Sequence, residues 1–233
     1  MRLVHGALLV AGAVGLAGCG EDGAGPTAAP AVGRLRFVHA SPDTALAKTV
    51  DVRVERVPVG AAIAYKAATS YVLVREGQRE VVFRKSADST TVFSLTLAVS
   101  ASTDYTVLST GLGTDLLPLT VVDTNTAPAG DSVKIRVVHA APAAGSVDVY
   151  VTTPTASLTA ETPDASNVSF RAASGYFTLG VGAHRVRFTP TGTKTVSLDV
   201  SIPSLTAGRI RTVVALDKAG GGAPLTSATL ADR

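Results

Sequence analysis

The chain has 233 residues, with 21 basic and 18 acidic side chains, a formal net charge of +3 and a single cysteine. So small a surplus, spread without any Lys/Arg run, excludes the clustered basic stripe of a nucleic-acid binder. One cysteine excludes an internal disulfide framework, so stability must come from apolar burial, for which about 100 residues per domain suffices.

At the N-terminus, Arg2 precedes an apolar stretch, residues 3–17, interrupted only by His5 and followed by Gly18 and Cys19. A charged start, an apolar middle and small residues before a cut site make the layout of a signal peptide. The stretch is shorter than the roughly 20 residues a membrane-spanning helix needs. Leu16-Ala17-Gly18-Cys19 resembles a bacterial lipobox, which implies a diacylglycerol on the Cys19 sulfur and cleavage after Gly18. An ordinary secretory signal with an incidental cysteine is the alternative. The resemblance gives a signal peptide over 1–18 and a lipid-anchored tether over 19–33, Gly/Ala/Pro-rich and too poor in bulky apolar residues to fold. It implies export to the cell envelope with the membrane as partner and, because Gly20 rather than Asp follows the cysteine, the outer membrane in a diderm source. Cleavage removes Arg2, leaving 20 basic against 18 acidic residues and a net charge of +2.

The remainder is an internal repeat. Arg34-Leu35-Arg36-Phe37-Val38-His39-Ala40-Ser41-Pro42 aligns with Lys134-Ile135-Arg136-Val137-Val138-His139-Ala140-Ala141-Pro142. Val50-Asp51-Val52 then pairs with Val147-Asp148-Val149, Tyr65-Lys66-Ala67-Ala68 with Phe170-Arg171-Ala172-Ala173, and the 77–83 segment with 182–188. A period near 100 is too long for a solenoid and fits one sandwich domain. Two tandem domains over 34–123 and 132–233, joined by a linker over 124–131, are therefore expected.

Within each repeat, apolar residues alternate with polar ones. Leu35, Phe37 and His39 share one strand face, while Arg36 and Val38 take the other. Val50, Val52 and Val54 alternate with Asp51 and Arg53, and Phe93, Leu95, Leu97 and Val99 with Ser94, Thr96 and Ala98. Residues 75–78 and 180–183 read as hairpin turns in which glycine supplies positive φ. The pattern predicts an all-β chain of about seven short strands per repeat, forming two β-sandwiches. Eight extra residues between Val151 and Phe170 are expected in a loop of the second repeat.

The strand-His-Ala-Ser-Pro-Asp opening, Val-Asp-Val-x-Val, Tyr/Phe-x-Ala-Ala, a glycine before a Val-x-Phe strand, and Tyr105-Thr106-Val107-Leu108 closing at Gly111 resemble the domain-of-unknown-function family 4397. The second repeat departs from the pattern: Ala141 and Ala143 replace Ser41 and Asp43, and Arg211 replaces Tyr105. The resemblance implies an immunoglobulin-like or transthyretin-like sandwich, bacterial envelope proteins as its setting, and no catalytic residues.

His39, Ser41 and Asp43 are too close on an extended segment to converge as a nucleophile, base and orienting group. His39 and His139 instead read as structural residues at the turns made by Pro42 and Pro142. The three histidines after Cys19 lack metal-ligand spacing, so neither metal nor other cofactor is expected. Asp51 and Asp148 read as outward-facing polar residues. Core packing is the expected role of Tyr65, Tyr71, Phe170, Tyr176 and Phe177. Tyr150 is the exception, placed outward between Val149 and Val151, and is the candidate binding aromatic. The functional expectation is a non-enzymatic envelope lipoprotein with a structural, adhesive or interaction role, with an envelope glycan or protein as a further partner. The alternative is a glycan- or peptide-binding lipoprotein that uses its sandwich loops.

Overall fold

The computed structural model describes residues 29–43 and 48–232, so Cys19 and most of the expected tether lie outside the described residues. The first repeat comprises β1 (Val32–His39), β2 (Thr49–Val54), β3 (Val57–Ala64), β4 (Val72–Arg75), β5 (Gly77–Lys85), β6 (Thr91–Val99), β7 (Asp104–Thr110) and β8 (Leu117–Asp123). The second comprises β9 (Ser132–Ala140), β10 (Val147–Thr152), β11 (Ala165–Val168), β12 (Ala172–Ala173), β13 (Phe177–Gly180), β14 (Gly182–Pro190), β15 (Leu198–Leu205), β16 (Ile210–Leu216) and β17 (Thr226–Ala231). Short 3-10 turns at Gly113–Asp115 and Pro142–Ala144 are the only helical elements among the described residues.

Each repeat is a two-sheet sandwich. Its outer sheet is antiparallel, in the order β3-β2-β5-β6 or β11-β10-β14-β15. Its inner sheet runs β4-β1-β7-β8 or β12-β9-β16-β17, with β13 also pairing to β9. At the centre of each inner sheet two strands are parallel, β1 with β7 and β9 with β16.

The two inner sheets pack face to face, which makes four layers with three apolar cores. One core, including Phe37, Val52 and Phe83, fills the first sandwich, and another, including Ile135, Val149 and Phe188, fills the second. The third lies between the repeats and joins Val38, Ala40 and Leu108 to Val138, Val214 and Leu230. The inner strands are therefore covered on both faces and lose the alternation of half-buried strands. All seven residues of β7 are buried, whereas β6, at a sheet edge, still alternates. The face of β1 that carries Arg36 and Val38 packs against the second repeat, so the two sandwiches share a buried joint.

The expected hairpin turns at 75–78 and 180–183 are corners instead. β4 pairs with β1 in the inner sheet and β5 with β2 and β6 in the outer one, so the chain changes sheets at Gly77. Gly182 does the same between β13 and β14. Positive φ values of 106° and 124° at these glycines make the abrupt change of direction possible. A true two-residue hairpin joins β2 to β3 through Glu55 and Arg56, at φ 49° and 69°. The Glu55 carboxylate accepts the Glu80 N–H at 2.8 Å, which ties this turn to β5.

In the first core, Phe83 meets Phe37 edge-on at 6.0 Å and stacks on Phe93 at 4.6 Å. Phe83→Ala should cost about 3–5 kcal/mol, as large-to-small changes at fully buried aromatics do. Chemical denaturation followed by far-UV circular dichroism checks this; a loss below about 1 kcal/mol would show that the core collapses around the gap.

Candidate functional site: the polar seam and the groove at its end

The seam between the inner sheets holds a buried ionic network that the repeat sequence supplies twice. Arg36, on β1, is 3% exposed and donates from Nη2 to Asp232 Oδ1 in the second repeat at 2.7 Å. Arg136, at the equivalent position on β9, is 1% exposed and donates to Asp123 Oδ1 in the first repeat at 2.5 Å. The guanidinium groups also bond their neighbours on the parallel strands, Arg36 to Thr106 and Arg136 to Thr212. Each threonine hydroxyl donates onward, Thr106 to Asp123 and Thr212 to Asp232, both at 2.6 Å. Tyr71 and Tyr176, again equivalent, lie 4.7 Å from the two guanidinium carbons. Burial raises the Asp232 carboxyl above its ordinary range, against the lowering effect of Arg36.

Further contacts cross the seam near the chain turns. The Tyr65 hydroxyl donates to the Asp217 carbonyl at 2.6 Å, and the Gly220 N–H donates to the Pro42 carbonyl at 2.7 Å. Lys66 reaches Thr226, and its counterpart Arg171 reaches Thr110 and Asp115.

The His-Ala-Ser-Pro-Asp segment extends the parallel β1/β7 ladder with side chains. His39 Nδ1 lies 3.1 Å from Ser109 Oγ, Ser41 Oγ donates to the Gly111 carbonyl at 2.8 Å, and Asp43 Oδ2 accepts the Gly113 N–H at 2.8 Å. Each pair has the same sequence separation of 70 residues. The residues lie side by side along a strand path rather than converging on one point. In the second repeat the acid comes from the opposite strand. Asp217, at the position of Gly111 and fully buried, accepts the N–H groups of Ala143 and Gly222. That exchange explains why Ala141 and Ala143 carry no polar side chain. His139 lies against the turn that follows Pro142, with Nε2 2.6 Å from the Gly145 carbonyl and Nδ1 accepting the Ala141 N–H. Pro142 opens the 3-10 turn there.

Asp51 and Asp148 brace strand irregularities. Asp51 accepts from Ala62 N–H, and Asp148 from Asn167 N–H, two residues at φ 49° and 52°. Tyr150, read from sequence as an exposed aromatic, is only 1% exposed. The extra residues of the second repeat fold back along β10, where Asp164 accepts the Val151 N–H at 2.7 Å. Lys194 sits 4.6 Å over the Tyr150 ring. An outward direction did not make Tyr150 a surface residue: its ring is buried beneath Lys194.

A groove of about 850 Å³ opens at the end of the seam, between the start of β1, β4, the turn before β7 and the linker. Arg34 is held there by two bonds to Asp104, from Nε at 2.7 Å and from Nη2 at 2.5 Å, and lies 5.3 Å from the centre of the Tyr71 ring. Its side chain remains 50% exposed, so the guanidinium is fixed yet reachable. Asn125 donates to both Asp104 and Tyr71, and Tyr71 donates to Asp123. A continuous chain of polar contacts thus runs from the groove to the buried Arg136. Burial acts to raise the Asp104 carboxyl, but the Arg34 and Asn125 hydrogen bonds outweigh it and hold the group below the usual range. These charges are matched within the protein, so the groove wall carries no uncompensated Arg34 or Asp104 charge. Among the described residues no cluster of His, Cys, Asp or Glu could hold a metal ion.

Sequence reasoning missed the seam and the groove. The available signal was a charge, Arg36 or Arg136, recurring on the second face of an otherwise apolar strand, matched by an aspartate at the end of the last strand of each repeat.

Taken together, these features define a tandem β-sandwich protein whose repeated motif builds the joint between its halves. The sequence model described as "Domain of unknown function (DUF4397)" matches residues 33–150, more than half of the chain, and the chain belongs to that family. The match takes in the first sandwich, the linker, β9 and most of β10. None of the curated proteins matches the chain. Among solved structures, the chain is similar to the Bacillus anthracis TIE protein at 10% identity and TM-score 0.28, covering 81% of this chain and 34% of that one. It is similar to a family CBM26 module from Eubacterium rectale, solved with maltoheptaose, at 12% identity and TM-score 0.28, covering 84% of this chain and 95% of the module. A leucine-rich repeat protein from Bacteroides thetaiotaomicron matches at 12% identity and TM-score 0.21, covering 82% of this chain and 27% of its own length.

Arg136→Ala removes the short ion pair of Asp123, leaving it Tyr71, Thr106 and the longer Arg36 contact, and should cost about 3 kcal/mol. Lys66→Ala, at an exposed crossing contact, should cost less than about 1 kcal/mol by the same denaturation assay. Burial lowers the His139 imidazole, with its bond to Gly145 and the Asp217 charge opposing. The unfolded state then takes up a proton first, near pH 6.5. Stability should fall as pH drops through that value towards the lower folded one. His139→Gln should flatten that limb in melting curves between pH 5 and 8; an unchanged slope would refute the assignment.

Proposed function

We propose that this protein is a non-enzymatic lipoprotein of the cell envelope whose paired sandwiches form a stiff interaction module on a lipid tether. The observation that carries the reading is the use made of the motif residues. His39, Ser41, Asp43, Arg36 and their counterparts are engaged in joining strands and repeats, not gathered around a reacting centre. The Leu16-Ala17-Gly18-Cys19 sequence supports the anchor. A diacylglyceryl cysteine carries two acyl chains, enough for stable attachment where one would be marginal. On this reading the protein is exported, and resides in the outer membrane if its source is diderm. Cys19→Ala should move the protein from the detergent phase to the soluble fraction, or leave an uncleaved precursor. Detergent partitioning like that of the wild type would sink the anchor.

A second reading, a glycan- or peptide-binding lipoprotein, is favoured by one observation: the half-exposed, doubly bonded Arg34 on the wall of the groove. In binding assays against envelope glycans and peptides, Arg34→Ala should remove any retention shown by the wild type while keeping the fold. Equal retention by both proteins would exclude the groove as the site.

A further inference from the structure

We infer that the face by which the repeats pair is a homotypic docking surface that also seats the same face of a second copy of this chain. The inference does not depend on the anchor. It rests on the reciprocity of the seam. Arg36 of the first repeat meets Asp232 of the second, and Arg136 of the second meets Asp123 of the first. This is the contact pattern of an isologous interface, in which one patch is complementary to itself.

Each repeat carries one arginine and one aspartate at corresponding places, so each face is its own electrostatic complement. Arg36 lies 3.7 Å from Asp123 of its own repeat, and a first repeat facing another first repeat would add a match of Arg36 to the other copy's Asp123 twice. Two second repeats would match Arg136 to Asp232 twice. The apolar part of the seam is also drawn from corresponding positions, with Val38 and Val138 at its centre. Within one chain, the linker over 124–131 supplies the partner at a high effective concentration, in the millimolar range for short tethers. The closed chain therefore hides the surface, and a second copy takes it when the seam opens or when the protein is crowded.

A charge exchange in the full chain tests this. Arg36→Asp combined with Asp123→Arg places an acid opposite Asp232 and a guanidinium opposite Arg136, so both cross-repeat pairs become like-charged. Between two copies, first repeat to first repeat and second to second, every charge remains matched. Light scattering should show the double variant shifting from one chain to a two-chain or larger assembly, with its β-sheet spectrum intact. A folded, monomeric double variant would overturn the inference. If that variant fails to fold, wild-type chain carrying a protease site within residues 124–131 decides the matter. After cleavage, native mass spectrometry should find pairs of first repeats or of second repeats beside the mixed pair. Mixed pairs or separated halves alone, at every concentration, would overturn it.

Discussion

Two arginines buried between sheets constrain everything around them. A guanidinium out of water is tolerable only where a carboxylate and further acceptors meet it, and here Arg36 and Arg136 take their shortest acid contacts from the opposite repeat, with Asp123 also 3.7 Å from Arg36 in its own repeat. Such pairs often add little net stability over apolar replacements, yet a mismatched one is severely penalised. Their effect is therefore on register. The inner sheets can slide or rotate only by separating charges from partners, and Thr106 and Thr212 hold both acids and both guanidinium groups in place. Tyr71 and Tyr176 close the network on its flanks with rings beside the cations.

The family signature is best understood as joinery of two kinds. Within a repeat, the segment from His39 to Asp43 prolongs strand pairing after the backbone ladder has ended. Between repeats, Tyr65, Lys66, Arg171 and Pro42 reach across. The second repeat keeps the first function while changing its chemistry, placing one aspartate on the last-but-one strand where the first repeat uses a serine and an aspartate on its opening strand. Sequence comparison records a loss at Ala141 and Ala143; the fold records a transfer to Asp217.

Much of the architecture is legible in the sequence. Valine alternation located the strands of the outer sheets, where one face is wet, and the repeat located both sandwiches. The inner sheets were harder, because strands buried on both faces carry no period to distinguish core from joint. Glycines at 77 and 182 gave a true positive-φ signal, but the signal is the same for a hairpin and for a corner between sheets. The actual hairpin at Glu55 and Arg56 uses no glycine at all. Tyr150 was placed on the proper face of β10, and only folding, which lays Lys194 from a distant segment over its ring, decided that this face is covered. The groove was invisible because Arg34, Asp104 and Asn125 come from three separate segments that only folding assembles.

The two equivalent ion pairs differ greatly in how much chain they span. Arg136 and Asp123 are 13 residues apart, while Arg36 and Asp232 are 196 apart. For an unstructured chain the longer closure costs on the order of 2 kcal/mol more entropy. As the polypeptide emerges from its N-terminus, Arg36 is among the first residues to require a partner and Asp232 among the last to appear. Until then, the first sandwich presents an apolar face on which Arg36 has only Thr106 and the 3.7 Å contact to Asp123, an incompletely assembled surface of the kind that holdase chaperones recognise. Symmetry in the finished molecule thus conceals an order of events, with one latch set midway and the other waiting for almost the whole chain.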